Sequence, residues 1–292
     1  MDQKVLKKVK LLQQKEITEN EIYLNIAKKI KDEKNRTTLE KIAEEEMKHY
    51  EIWEKYTNEE MQPVKREVLY YTFLAKLFGY TFAIKKMENQ ENQEELEYIF
   101  DQELLKEIPE AEKIYQDELV HEKKLIDLLD EERLRYIGSM VLGLNDALVE
   151  FTGSLAGYSF AMQSNKLISL AGLITGISAT LSMATSEFLS ARSDEEENPT
   201  KSATYTGIAY LLTVVLLIMP YLVLPDQWYG IALGIMLLLV ILIIAVFNYY
   251  IAVAKDLSFK QRFKEMSIIS LGVSALSFII GLLVKRFLGI DL

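Results

Sequence analysis

Cysteine is absent from this 292-residue chain, and histidine occurs only twice. The first absence excludes disulfides, thiolate metal sites, iron–sulfur clusters and a four-cysteine iron centre. Any bound metal must therefore be held by oxygen, imidazole or thioether donors. Positive charge is also in deficit: the net charge is −10, and residues 1–135 carry 32 Asp plus Glu against 24 Lys plus Arg. That balance disfavours nucleic acid as a partner and suits cations. The opening MDQKVLKKVKLLQQKE has no apolar core, so it does not read as a cleavable signal, and the first half is expected to stay in the cytoplasm.

Charge fills the first 135 residues and nearly vanishes afterwards. From Ile137 onward the chain consists of apolar runs of about twenty residues, the length a helix needs to cross ~30 Å of hydrocarbon. The expected organisation is all-α, with a soluble domain over 1–130 and a membrane domain over 131–292. Five spans are expected at about 137–162, 166–190, 203–224, 229–253 and 265–288. An odd number puts the termini on opposite sides. With the N-terminus inside, the inner flanks hold Arg133, Arg135, Arg192, Lys201, Lys255, Lys260, Arg262 and Lys264, and the outer ones Lys166, Lys285 and Arg286. This bias fits a cytoplasmic N-terminal domain and an outside C-terminus. The Lys, Glu and Ile bias without cysteine suits a thermophilic prokaryote, and hence a prokaryotic cell membrane.

The soluble half reads as four helices. The first covers about Val5 to Lys34, with Leu12, Ile22, Ile26 and Ile30 at helical spacing. The second starts at a capping box, Thr37-x-x-Glu40, and stops before Pro63. The third covers about Val68 to Phe100 with a break near Gly79; the fourth opens at Pro109 and continues through Leu129 toward the membrane. Four helices in this order suggest an antiparallel bundle. The apolar run VLYYTFLAKLFGYTFA, residues 68–83, contains Lys76 and is too short to span, so it reads as buried packing or a dimer face.

Both histidines sit in Glu-x-x-His: Glu46 with His49, and Glu118 with His121. Each of those glutamates is preceded thirty residues earlier by another, Glu16 and Glu88. The repeat reads as two duplicated helical hairpins. Spacing of i and i+3 puts each Glu and His on one helix face, and Glu16 and Glu88 can face them from partner helices. Four carboxylates and two imidazoles would then converge in the bundle core. That is the donor set of a dinuclear iron or manganese carboxylate centre.

On these residues the first 130 positions resemble the ferritin-like superfamily, in its rubrerythrin (erythrin) branch. EITENEIYLNIAKK from Glu16, with Tyr23 and Ala27, is similar to that branch's first-helix pattern. MENQENQEE on the third helix offers both Glu88 and Glu91. The resemblance implies that such sites can use two glutamates there in alternation, so Glu91 is a second candidate. Glu94 and Glu95 read as solvated surface.

Carboxylates also lie in the expected spans, where they are costly unless they face a cavity, a cation or a proton path. Asp146 and Glu150 are i and i+4 on the first span; Met183 and Glu187 have the same spacing on the second. A thioether beside carboxylates shifts preference toward transition metals. Packing for Met183 and an interfacial place for Glu187 are the alternatives. The stretches VLGLNDALVEFTGSLAGY (141–158) and ISATLSMATSEFLSARSDEEE (177–197) resemble the first two spans of the vacuolar iron transporter family. That family exchanges divalent iron or manganese for protons. Its Asp-Gly pair stands here as Asp146-Ala147. Its long glutamate-rich insert between spans two and three is reduced to RSDEEENPTKSA, where Asp194 to Glu197 is either a cation relay or a solvated loop.

The combined architecture resembles the membrane-bound ferritins. It implies a transporter that exports Fe²⁺ or Mn²⁺ from the cytoplasm with protons as counter-ion. The cytoplasmic site, holding two iron or manganese ions, would capture, sense or oxidise the metal. Five spans are few to enclose a path, and with the small face Gly153-x-x-x-Gly157 the resemblance implies a homodimer in the lipid bilayer. The alternative from another class is a membrane-anchored ferroxidase or peroxidase.

Overall fold

The computed structural model describes residues 1–88, 100–127 and 131–288; at 119–127, 133, 274, 277, 278 and 280–288 it describes the backbone alone. Every described element is helical, and the chain divides into two compact units, Met1–Glu132 and Arg133–Leu292.

The first unit begins with α1 (Gln3–Ala27) and α2 (Glu33–Thr57), which pack side by side as a hairpin. The buried line of α1, Val5, Val9, Leu12, Glu16, Glu19, Tyr23 and Ala27, repeats every three or four residues. It is an ordinary core stripe except that carboxylates interrupt it. The helix does not run on to Lys34 as its periodicity predicts. Lys28, Lys29 and Ile30 donate back to the carbonyls of Leu24, Ile26 and Ala27, closing α1 in tightened turns. Nor does α2 start at the Thr37 box. The Asp32 carboxylate accepts the Asn35 N–H at 2.8 Å and caps the helix one turn earlier. Thr38 Oγ1 meanwhile bonds the Lys34 carbonyl at 2.9 Å.

The third segment is α3 (Lys65–Phe78) and α4 (Tyr80–Glu88), separated at Gly79. Residues 89–99, which include Glu91 and most of the expected remainder of this helix, lie outside the described residues. A short α5 (Gln102–Glu107), which periodicity did not suggest, is capped by Asp101, whose side chain accepts the Leu104 N–H at 3.1 Å. Then α6 (Glu110–Asp127) follows Pro109. It does not continue unbroken to the membrane segment, because Glu131 is outside any helix and α7 (Glu132–Arg135) is a separate turn. Trp53, Phe100, Leu104, Ile108, Ala111 and Ile114 join Val5, Val9 and Leu12 in one core, with the Trp53 and Phe100 rings 6.1 Å apart.

The second unit consists of α8 (Ile137–Asp146), a π turn at Ala147–Phe151, α9 (Thr152–Met162), α10 (Asn165–Ser193), α11 (Pro199–Val223), a 3₁₀ turn at Asp226–Trp228, α12 (Tyr229–Ala254) and α13 (Phe259–Leu288). Among the described residues, three stretches are long and apolar enough to cross a membrane: Asn165–Ser193, Pro199–Val223 and Asp226–Ala254. The first expected span is not one α-helix, because the π turn divides it. Its core unites Leu144, Ala147, Leu148 and Phe151 with Tyr210, Val214, Met236, Val240 and Ile244. At Gly143 a Cβ would lie 2.3 Å from the Thr206 carbonyl oxygen, so α8 and α11 approach as closely as backbones can.

Gly79 deserves the glycine it has. Its φ of +100° is open to few other residues, and a Cβ there would lie 2.1 Å from Glu131 Oε1. The buried Glu131 carboxylate uses this space to accept the Thr81 N–H at 3.0 Å, capping α4 at its first turn. Gly79→Ala is expected to destabilise the protein by about 1–3 kcal/mol through backbone strain and displacement of that cap. Gly138→Ala, where a Cβ meets nothing within 4 Å, is the neutral control. Thermal unfolding of the two variants in detergent checks this.

Candidate metal centre

Trp53 is fully buried and its indole Nε1 donates to Glu16 Oε1 at 3.0 Å. This fixes the α1 carboxylate and leaves Oε2 facing α2. There Glu46, fully buried, and His49, one helical turn on, present their polar atoms inward. From α6, Glu118 completes the group. His49 Nδ1 lies 3.5 Å from Glu118 Oε1, 3.7 Å from Glu16 Oε2 and 3.9 Å from Glu46 Oε2. One donor atom from each of the four lies within 4.8 Å of every other, and all four residues are buried.

Three carboxylates in a dry interior repel one another and lose hydration, a combination that persists only with compensating positive charge. Burial alone would lower the pKa of His49, but the Glu118 and Glu16 carboxylates outweigh it and raise it to about 10. Lys15 adds a second cation, 3.7 Å from Glu118 and 3.7 Å from Glu19. In place of the His49 proton, a divalent cation would meet three oxygen donors and one imidazole nitrogen, a set suited to iron or manganese. The residues present fit such an ion.

The structure thus brings together Glu16, Glu46, His49 and Glu118. Glu88 is not in the group; half-buried at the end of α4, it accepts a hydrogen bond from the Tyr23 hydroxyl. His121 lies on α6, but its side chain, like Glu91 as a whole, is outside the described residues.

Sequence spacing missed four neighbours. Lys15 and Glu19 flank Glu16 on α1, and Asp117 Oδ2 lies 3.7 Å from His49 Nε2. That carboxylate faces the ring nitrogen other than the one nearest Glu16, Glu46 and Glu118. The signal available was the Asp directly before Glu118. The fourth is Tyr71 on α3, whose phenol is pushed up to about 12 by burial and then by Tyr70, Glu67, Glu19 and Glu88, so it remains a hydrogen-bond donor at physiological pH.

In the second unit Asp146 ends α8, half-buried, and Glu150 sits exposed within the π turn. Met183, half-buried on α10, packs against the core that holds Ala147 and Phe151; Glu187 is buried one turn later. Among the described residues no group of three or more acidic or histidine side chains forms here. A π turn inside a helix frequently marks a functional position. A model of the VIT family matches residues 137–198. The matched stretch, 62 of the 292 residues, contains Asp146, Glu150, Met183 and Glu187. No curated protein and no solved structure matches the chain.

The raised pKa of His49 has a sign. A group raised from 6.5 to about 10 on folding stabilises the metal-free protein fully below pH 6.5, and that contribution is lost as pH rises through about 10. The metal-free protein should therefore lose stability between these limits, and His49→Ala should flatten the dependence. Added Mn²⁺ should restore stability at high pH in the native chain only. Denaturant unfolding across pH, with chelator and with Mn²⁺, measures this.

Proposed function

We propose that this chain is a divalent-metal exporter of a prokaryotic cell membrane, with a ferritin-like, rubrerythrin-type bundle on its cytoplasmic side. The observation that carries the reading is the buried group of Glu16, Glu46, His49 and Glu118 in a chain whose residues 137–198 match the VIT family. The bundle captures Fe²⁺ or Mn²⁺ from the cytoplasm. Glu88, Glu91 and His121 would complete a second position, for two ions in all. A di-iron centre of this class supplies ferroxidase or peroxidase chemistry when loaded. In this chain the protein's part is to hold carboxylates dry and oriented.

Transport belongs to the second unit. Helices at 137–162, 165–193, 199–223, 229–254 and 259–288 would form five spans, with the C-terminus outside. Asp146, Glu150, Met183 and Glu187 line the path, and proton binding to the carboxylates on the acidic side releases the cation, giving exchange for protons. The exposure of Glu150 supports a homodimer. Leu142, Glu150, Gly157 and Phe160 are exposed along the first span, and nothing lies within 4 Å of a Cβ built at Gly157. A carboxylate on such a face is too costly against lipid. A second copy meeting along this face would enclose the acidic pairs of both protomers.

The test is uptake of Fe²⁺ and of Mn²⁺ into proteoliposomes with a trapped metal-sensitive dye, with and without a proton gradient. Gradient-dependent flux abolished in Asp146→Ala, with metal in the bundle unchanged, is the expected result. Cross-linking between copies at Gly157→Cys, but not at Leu238→Cys on α12, is the matching readout for the dimer. Metal-loaded protein with no flux of either ion would move the function to the bundle, as an anchored oxidase.

A further inference from the structure

The helix α3 is apolar on two opposite faces. Val68, Tyr71 and Leu74 are buried in the first unit. Leu69, Tyr70, Phe73 and Leu77 point the other way and are 71%, 46%, 60% and 54% exposed. Positions 69, 73 and 77 lie at i, i+4 and i+8, so they form one continuous outer stripe. A soluble helix normally presents charge on its outer side. This one presents four large apolar side chains, two of them aromatic.

The charge around the stripe is as unusual as the stripe. Residues 1–135 are strongly acidic, yet segment 65–86 carries Lys65, Arg66, Lys76, Lys85 and Lys86 against the single carboxylate Glu67. Lys65, Arg66 and Lys76 are exposed and border the apolar side chains, with Arg66 three residues before Leu69 and Lys76 three after Phe73. An exposed apolar and aromatic face rimmed by Lys and Arg is the pattern of a helix lying in a membrane interface. Leu and Phe enter the headgroup boundary, and the cations meet anionic lipid. Chain connectivity supplies the opportunity: the first unit ends at Glu132, and the segment matching a membrane family starts at residue 137.

We infer that the outer face of α3 is a membrane-docking surface that binds an anionic bilayer through Leu69, Tyr70, Phe73 and Leu77, with Lys65, Arg66 and Lys76 contacting headgroups. The inference rests on the membrane reading of the second unit but not on transport. It answers the alternatives left by sequence for 68–83: one side is core and the other covers lipid. Docking would hold the acidic bundle against the membrane surface and set basic side chains, not carboxylates, toward anionic headgroups. A second copy of α3 fits less well, because a symmetric antiparallel pair would bring Lys65 and Arg66 of one copy toward Lys76 of the other.

The absence of cysteine makes the test direct. Leu69→Cys, Phe73→Cys and, as control, Leu11→Cys on α1, 60% exposed, are labelled with a fluorophore in the full chain. Each is reconstituted in phosphatidylcholine vesicles with or without phosphatidylglycerol, containing a lipid with a nitroxide headgroup as quencher. Quenching at 69 and 73 at least threefold above that at 11 in anionic vesicles, reduced in neutral vesicles and at high salt, is expected. The triple variant Lys65→Glu, Arg66→Glu, Lys76→Glu should lower quenching to the Leu11→Cys level with helicity unchanged. Equal quenching at all three positions in both lipids overturns the docking. So does energy transfer between copies at Phe73→Cys without lipid quenching, which would assign the face to a dimer. Vesicle flotation after carbonate washing reports separately on integration; a chain that washes off overturns the membrane reading and the docking with it.

Discussion

Three carboxylates buried around one imidazole are the constraint on which the first unit depends. Glu46 is wholly buried, Glu16 nearly so, and Glu118 lies within 3.5 Å of His49 Nδ1. No helix pair would bury such a group for stability alone, since apolar residues of similar size would serve better. The neighbouring chemistry is arranged to tolerate it. Trp53 holds Glu16, Asp117 faces the far nitrogen of His49, and Lys15 bridges Glu118 and Glu19. Without metal, the proton on His49 and the Lys15 ammonium carry the compensating charge. A divalent cation held by these residues would take the place of the proton, which would couple folding to metal binding through the same side chains.

The membrane segment shows the same economy of charge in another solvent. Asp146, Glu150 and Glu187 do not form a group of their own among the described residues, and Glu150 is exposed. The π turn at Ala147–Phe151 lies between Asp146 and Thr152, so Asp146 and Glu150 stand where helix geometry changes.

Much of this was legible in the sequence, for identifiable reasons. Glu46 and His49 are one turn apart on a single helix, so spacing alone puts them on one face; Glu16 followed from the thirty-residue repeat. Lys15, Glu19 and Asp117 were not found, because a charged residue beside a ligand looks like solvated surface until a facing helix buries it. The end of α1 at Ala27 was missed since Ile30 keeps the apolar period although the backbone has already turned. The Thr37 box misplaced the start of α2 because Asp32, which caps the helix, is not followed by the Glu or Gln that completes a capping box: Asn35 stands in that position. The π turn inserts itself in a uniformly apolar run, where periodicity carries no information. The outer side of α3 was seen as apolar, but whether core, copy or lipid covers it depends on which side faces in.

The most direct test of the central claim is the metal content of the purified full-length protein, loaded anaerobically with Fe²⁺ or Mn²⁺ and measured by mass spectrometry. The native chain and Asp146→Ala should retain bound metal, whereas Glu16→Ala with Glu46→Ala should lose it with the helical content intact. Equal metal in all three proteins would contradict the account, because the buried carboxylates of the first unit would then not be what holds the ion.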